Sequence, residues 1–421
     1  MTRPRGFVVV TGSELVRGDR RDLNGPFLAA ELLRLGVEPA RIAIVGDQPE
    51  ELEAVLREGL AADLCLVSGG LGPTHDDRTV ELVARAAGRE LVVDEALEAE
   101  IEAISRSVAE RLKRPYADFA AGVRKQATLP RGALVVGIAG TAPALVLETE
   151  AGAAVVLPGP PTELQRLWPP ALESAPVRSV VARAREPERR VLRFYGAGES
   201  EIARSLAESG GEGGGVDVTI CAREFEIHVD LFVEPEGRTR ADELVAGLRA
   251  RSGRHLFAED ERPLAAMVLD LCLEQRLTLA TAESCTGGLV AARLTAVPCS
   301  SDVFRGGIVA YANEVKAREL GVPEDLLERH GAVSAEAAEA MAAGARERLG
   351  VDVAVSVTGV AGPGGGTPEK PVGLVFLHAA APDGSSTRRL DFPGDREAIR
   401  GRATAAALHL VRTLLSQSRD A

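Results

Sequence analysis

Apolar and polar positions follow two rhythms along this chain. Near the amino terminus a short continuous apolar run, Phe7–Val10, is followed by Leu28, Leu32, Leu33 and Leu35, a helical stripe that Gly36 stops. A second run, Ile42–Val45, precedes another stripe, Leu52, Val55, Leu56 and Leu60, and a third run follows at Leu64–Val67. Continuous strands alternating with amphipathic helices predict a parallel sheet covered on both faces, with right-handed crossovers. In such a sheet ligands sit beyond the carboxyl ends of the strands. Two of those ends carry polar loops here, TGSELVRGDRRDLN after the first strand and SGGLGPTHDD after the third.

The rhythm changes after Pro169, Pro170 and Pro176. Arg190–Tyr195 reads as a strand, Glu199–Glu208 as a helix, Val216–Ile220 and Glu226–Val233 as an antiparallel pair, and Thr239–Ser252 as a helix. Gly210–Gly215 between them is a flexible loop by composition. From Pro263 onward the first rhythm returns. A helix at Leu264–Glu274 is followed by strands at Leu277–Thr281, Gly307–Ala312, Val351–Val357 and Val372–Ala379, alternating with helices. The expected fold class is α/β: two three-layer α/β/α domains joined by a small α+β domain.

Length and composition agree with that division. At ~150 residues per domain, 421 residues suggest about three. Hydrophobic residues make up 45% and aromatics only 3%, so Ala, Val, Leu and Gly fill the cores. The net charge of −13 opposes the phosphate backbone of nucleic acid and argues against it as a partner. The five cysteines are never spaced as CxxC, which excludes a disulfide framework and a zinc ribbon and places the chain in a reducing cytoplasm. Phe7–Val10 is too short for a signal segment. The uncharged run Gly132–Leu147, broken by Gly and Pro, falls short of the ~20 residues of a spanning helix, so a soluble chain without membrane contact is expected.

The candidate chemistry lies in a few glycine-bracketed phrases. TAESCTGG (281–288) falls at a strand-to-helix turn, where Ser284, Thr286 and Gly287 offer hydroxyls and N–H groups to an anion. A plain N-cap accounts for the same residues. Cys285 in this phrase has no histidine near it in sequence, and a structural cysteine is the commoner case. Ser301 lies in a loop before a strand, and Lys316 at the start of the next helix. With no histidine in this segment, a lysine depressed by burial is the available base for a serine. Solvated loop and helix residues explain the same spacing. The glycine-rich loop VTGVAGPGGGTPEKPVG (357–373) contributes Thr358, Gly359, Gly362, Gly364 and Gly365 to a phosphate cradle, although it is not a P-loop. Arg396 and Arg400, one turn apart on the last helix, suit bidentate phosphate binding. In the first unit, Gly69, Gly70 and Gly72 let the backbone approach a phosphate. Thr74, Asp76 and Asp77 follow, the two carboxylates being candidates for a hard divalent ion such as Mg²⁺. Glu14, Asn24 and LPGPPTEL (157–164) complete the same edge.

These phrases together resemble the CinA family over nearly the whole chain. GGLGPTHDDRT and LPGPPTEL resemble its molybdopterin-binding-like domain, which the resemblance places at 1–172. Residues 173–258 correspond to its KH-like α+β domain. TAESCTGG, GGIVAYANEVK, GAVSAEAA and TGVAGPGGGTPEKPVG resemble its nicotinamide mononucleotide deamidase domain, at 259–421. The resemblance implies hydrolysis of the carboxamide of nicotinamide mononucleotide to nicotinate mononucleotide and ammonia, within pyridine-nucleotide recycling. It aligns Ser301 as nucleophile and Lys316 as base, with Tyr311 and an arginine (Arg396, or else Arg400) assisting. It further implies no cofactor for that step, small nucleotide substrates and a homodimer. Two alternatives stand beside it: a metal-dependent ADP-ribose pyrophosphatase in the first domain, with Asp76 and Asp77 on the metal side, and a non-catalytic binding protein of competence or DNA repair. Three departures from the family pattern are Ser13 in place of an aspartate, Ala144 in place of a glycine, and Cys299 in place of the glycine before Ser300-Ser301.

Overall fold

The computed structural model describes residues 3–185 and 188–417. The chain divides into two compact units, Met1–Pro187 and Glu188–Ala421. Among the described residues no helix is long and apolar enough to cross a membrane.

The first unit is built on strands β1 (Arg5–Thr11), β2 (Glu38–Val45), β3 (Leu64–Ser68), β4 (Leu91–Val93), β5 (Thr128–Pro130), β6 (Leu134–Ala139), β7 (Ala142–Glu148) and β8 (Ala153–Leu157). Six of them form one sheet in the order β2-β1-β3-β8-β7-β6, and β4 pairs with β5. The four strands from β2 to β8 are parallel, and β7 and β6 turn back antiparallel. Strand periodicity divides the core. Phe7 and Val9 face one helical layer, and Val8 and Val10 the other, which explains the unbroken apolar run.

The second unit opens with a four-stranded antiparallel sheet, β9 (Glu188–Phe194), β10 (Val216–Arg223), β11 (Glu226–Val233) and β12 (Leu256–Ala258), in the order β10-β11-β9-β12. Helices Glu199–Glu208 and Arg238–Ser252 bury Ile202, Leu206, Leu244 and Leu248 against it. This lobe is fastened to the last helix of the chain, Arg396–Gln417. The buried Glu226 carboxylate accepts from Arg193 Nη2 at 2.6 Å and lies 3.0 Å from His409 Nε2, and the His409 ring stacks on Tyr195 at 3.6 Å. The carboxyl of Glu226 is held far below the usual carboxylate range: burial opposes this, but the hydrogen bonds from His228, His409 and Arg193 outweigh it.

The remainder forms β13 (Leu279–Glu283), β14 (Phe304–Val309), β15 (Val353–Gly359), β16 (Leu374–Ala381) and β17 (Gly384–Asp391), in the order β14-β13-β15-β16-β17. The first three are parallel, and β16 and β17 antiparallel. Val353, Val355 and Val357 of β15 pack under helices Leu264–Glu274 and Arg396–Gln417, while Ala354 faces helices Asn313–Leu320 and Ala335–Leu349. Strand β14 begins three residues before the expected Gly307. A Cβ on Gly307 would stand 2.3 Å from Thr281 Oγ1, so this close strand pair requires a glycine. β17, with Gly384-Ser385-Ser386-Thr387-Arg388-Arg389, is a largely exposed edge strand without the apolar alternation that marks one in sequence.

Candidate functional site

Strand order decides which loops of the C-terminal sheet meet. β13 lies between β14 and β15: the chain passes from β13 to β14 on one side and then crosses back to β15 on the other, and the parallel pairing points the carboxyl ends of all three to one edge. Three loops leave that edge: 284–288 after β13, 310–312 after β14, and 360–373 after β15.

Lys316, in the first turns of helix Asn313–Leu320, turns inward and is only 1% exposed. Its Nζ lies 3.1 Å from Ser284 Oγ, 2.9 Å from the Ala310 carbonyl and 3.0 Å from the Tyr311 carbonyl. Burial pushes its pKa below the ordinary lysine value, and the weaker pull of Cys285 and Glu314 does not reverse this. Ser284, 7% exposed, is held through its backbone N–H on Val357 O at 2.9 Å. A buried amine against a buried serine hydroxyl has the make-up that a nucleophile–base pair requires. Cys285 beside it is no rival, because burial raises its thiol to about 11.

Ser301, the expected nucleophile, is not part of this pair. It lies in the exposed turn Ser300–Asp302 that leads into the amino end of β14, whereas Lys316 follows the carboxyl end. The six residues of β14 separate the two by roughly 16 Å along the strand. Fifteen positions in sequence suggested proximity, but an intervening strand keeps its ends apart. Cys299, at the same far end, adopts a left-handed φ of +62°, the conformation that a glycine would take without strain.

The anion cradle expected at Gly287 and the helix start is taken by the chain itself. Glu283, 1% exposed, accepts from Gly288 N at 2.9 Å, Val290 N at 3.1 Å and Ala291 N at 2.9 Å, so its carboxylate caps helix Leu289–Thr295. Sequence reasoning missed this residue. Its signal is an acid that closes an apolar strand just before a glycine pair and a helix. Thr286 retains a buried hydroxyl without a partner. Thr358, by contrast, spends its hydroxyl on Ala332 O at 2.6 Å and is structural.

The two arginines divide their tasks. Arg400 fastens the nucleophile loop, with Nε on Cys285 O at 3.1 Å and Nη2 on Thr286 O at 2.8 Å. Arg396 reaches the mouth, with Nη1 on Gly362 O at 2.7 Å and Nη2 on the Tyr311 hydroxyl at 3.2 Å. Tyr311 is 62% exposed there. Gly364 and Gly365 lie on the open loop with free space around them, while Gly359 packs at the strand end, where a Cβ would meet Leu374 O at 2.7 Å.

In the first unit the expected residues separate into two places. Glu14 and Asn24 line a cavity of about 440 Å³ with Arg20, Arg21, Asp22 and Ser68. Asn24 donates through Nδ2 to Ser68 Oγ at 2.9 Å and Gly159 O at 2.7 Å. Ser13, where the family pattern has an aspartate, donates to Asp47 Oδ2 at 2.6 Å; Asp47 was not singled out from the sequence. Gly70, Gly72 and Asp77 line a separate cavity of about 220 Å³. The glycines serve packing rather than an open cradle: a Cβ on Gly69 would lie 2.4 Å from Thr11 O, and one on Gly70 2.2 Å from Thr79 Oγ1. The Thr74 hydroxyl sits between Asp76 Oδ1 and Asp77 Oδ2, 2.5 Å from each, and this bond holds the Asp76 carboxyl below its usual range. Asp76 is exposed and Asp77 half-buried, and among the described residues no group of three or more His, Cys, Asp or Glu side chains is placed to hold an ion.

Comparison with known proteins agrees with this architecture. Residues 7–174 match the probable molybdopterin binding domain, residues 189–258 the damage-inducible protein CinA KH domain, and residues 261–415 the CinA C-terminal domain. A CinA-like protein of Mycolicibacterium paratuberculosis is 45% identical, covering 98% of this chain and 99% of its own length. Another, of Mycobacterium tuberculosis, is 44% identical over 98% and 97%. Among solved structures, the competence/damage inducible protein CihA of Agrobacterium tumefaciens is 41% identical and covers 36% of this chain and 93% of its own, with a TM-score of 0.35. With all three domains matched in order and relatives aligned almost end to end, the chain belongs to the CinA family.

Proposed function

We propose that the C-terminal domain is a serine–lysine amidase acting on the carboxamide of a nicotinamide nucleotide, nicotinamide mononucleotide first, and that Ser284 rather than Ser301 is its nucleophile. The observation that carries this reading is the 3.1 Å contact between Lys316 Nζ and Ser284 Oγ in a buried setting. An ammonium at Lys316 would donate to all three neighbouring oxygens. The neutral amine, which burial favours, keeps two N–H groups on the Ala310 and Tyr311 carbonyls and turns its lone pair to the serine hydroxyl.

The reaction follows from that geometry. Ser284 Oγ attacks the amide carbon as its proton passes to Lys316, and the carbonyl oxygen becomes an oxyanion facing the N–H groups of the turn after Ser284. The tetrahedral species collapses, the C–N bond breaks, and Lys316 returns the proton to the departing ammonia. Water, deprotonated by Lys316, then attacks the acyl ester, the Ser284 Oγ–C bond breaks as Lys316 returns the proton to Oγ, and the carboxylate product leaves. Arg396 stands over the mouth to meet a phosphate, and Tyr311 orients it.

The direct test is ammonia release from nicotinamide mononucleotide by purified protein, with Ser284→Ala and Ser301→Ala alongside. Turnover lost only in Ser284→Ala supports the assignment. Turnover lost only in Ser301→Ala overturns it.

A second reading concerns the first unit. The cavity bearing Glu14, Asn24, Arg20 and Arg21 suits a phosphorylated nucleotide such as ADP-ribose. Hydrolysis of ADP-ribose by the full chain with added Mg²⁺, lost in Glu14→Ala, is the observation that would establish it.

A further inference from the structure

The middle lobe sends one residue pair into the C-terminal domain. The turn between β10 and β11 places Glu224 and Phe225 at φ +51° and +70°, two adjacent non-glycine residues in the left-handed region. Such residues cost about 1–2 kcal/mol each and persist where surroundings hold them. Here the hold is visible. Phe225 packs on Gly401 so closely that a Cβ there would come within 2.4 Å of its ring, Arg402 lies 5.0 Å over the ring centroid, and Glu224 is 3.4 Å from Arg293.

The docked turn walls a cavity of about 1010 Å³ whose lining includes Phe225, Leu289, Arg293, Arg396 and Arg400. Arg396 and Arg400 are therefore shared: they bind the loops around Ser284, Tyr311 and Gly362, and they also line this space. Among the described residues, Arg396 Nε and Arg400 Nη1 meet no protein acceptor, and the ion pair recorded for Arg293 is the long one to Glu224. Two carboxylates also face the cavity. Asp395 caps Ala398 N at 2.9 Å and keeps its charge, so three guanidinium groups face two carboxylates, Asp395 and Glu397, in the lining. The balance selects an anion, and the planar forks select an oxyanion such as phosphate.

We infer that Phe225 and Arg293 complete the substrate pocket: the phosphate end of the nucleotide lies in this cavity between Arg293, Arg396 and Arg400, under a wall supplied by the middle lobe. The inference rests on the amidase reading and assigns the middle lobe a part in substrate binding. Arg293 would contact the phosphate directly, and Phe225 would act as the wall that positions it.

The experiment compares ammonia release from nicotinamide mononucleotide and from its unphosphorylated riboside by wild type, Arg293→Ala and Phe225→Ala. Arg293→Ala is expected to raise KM for the mononucleotide about tenfold or more, as loss of a charge-assisted contact does, with kcat within twofold and the riboside unaffected. Phe225→Gly, which suits the left-handed backbone, controls for misfolding in Phe225→Ala and is expected to raise KM as well. Unchanged KM in all variants, or an equal loss on the riboside, overturns the inference while leaving the amidase intact. If wild type releases no ammonia, the amidase reading fails. Calorimetric titration of the mononucleotide then still decides about the wall: binding weakened by Arg293→Ala supports it, and equal binding or none rejects it.

Discussion

The two α/β regions of this chain share a plan and differ in what it gathers. Each has parallel strands whose carboxyl ends carry glycine-rich and acidic or hydroxylic loops. In the C-terminal region three such loops converge on one buried pair, Ser284 and Lys316, and arginines from the last helix cover it. In the N-terminal region the equivalent loops lead to two separate cavities, and the polar groups saturate one another: Ser13 with Asp47, Asn24 with Ser68 and Gly159, Thr74 with Asp76 and Asp77. A site is therefore marked less by polar residues at a strand end than by a titratable group buried without an ion pair among the described residues. Lys316 meets that condition, whereas Asp76 is exposed and satisfied by a hydroxyl.

The largest expected effect breaks the C-terminal pair. Ser284→Ala or Lys316→Met should lower kcat for ammonia release by at least ~10³-fold, whereas Ser301→Ala should stay within a few-fold. A steady-state assay on the purified variants checks this. The pH profile sharpens the same point. Because burial holds Lys316 below the ordinary lysine pKa, the reactive neutral form grows as pH rises, so kcat/KM should climb through that depressed pKa and then level off. Stability has the same sign. The unfolded chain binds the lysine proton more tightly, so folding should gain as pH rises from the depressed value toward 10.5, and Lys316→Met should remove that slope in denaturant titrations.

A smaller effect tests the scaffold. Glu283→Ala strands three N–H groups at the start of helix Leu289–Thr295 and should cost about 1–3 kcal/mol, visible as a lower Tm. Cys299→Gly should relieve the left-handed φ and stabilise by up to ~1 kcal/mol without altering turnover, since that turn lies at the far end of β14. The least effect belongs to the other region: Asp76→Ala should change Tm little and leave ammonia release untouched. A strong loss of amidase activity in that variant would contradict the division of labour drawn here.

Much of the fold was legible in sequence. Val353, Val355 and Val357 alternate with Ala354, Ser356 and Thr358, and both sets are buried, so a covered central strand followed from the run itself. The strand expected at Gly307–Ala312 lies three residues earlier, at Phe304–Val309, because the register is set by pairing with its neighbour rather than by the apolar run alone. Of the candidate site, Lys316, Tyr311, Arg396 and Ser284 were all named from sequence, but Ser284 was given an anion-binding role and Ser301 the nucleophile's. Glu283 and Asp47 escaped notice, since an acid next to a polar loop reads as solvated until its N–H or hydroxyl donors are seen.

The residues alone determined the three-domain order, the alternation of strands and helices, the acidic solvated surface and the set of chemically capable side chains. Those follow from local periodicity, propensity and charge. Which serine faces the lysine was decided only by the tertiary structure. Strand order and direction place Ser284 and Lys316 at one edge of the sheet and send Ser301 to the other, and pairing among strands is a long-range property that sequence spacing does not carry.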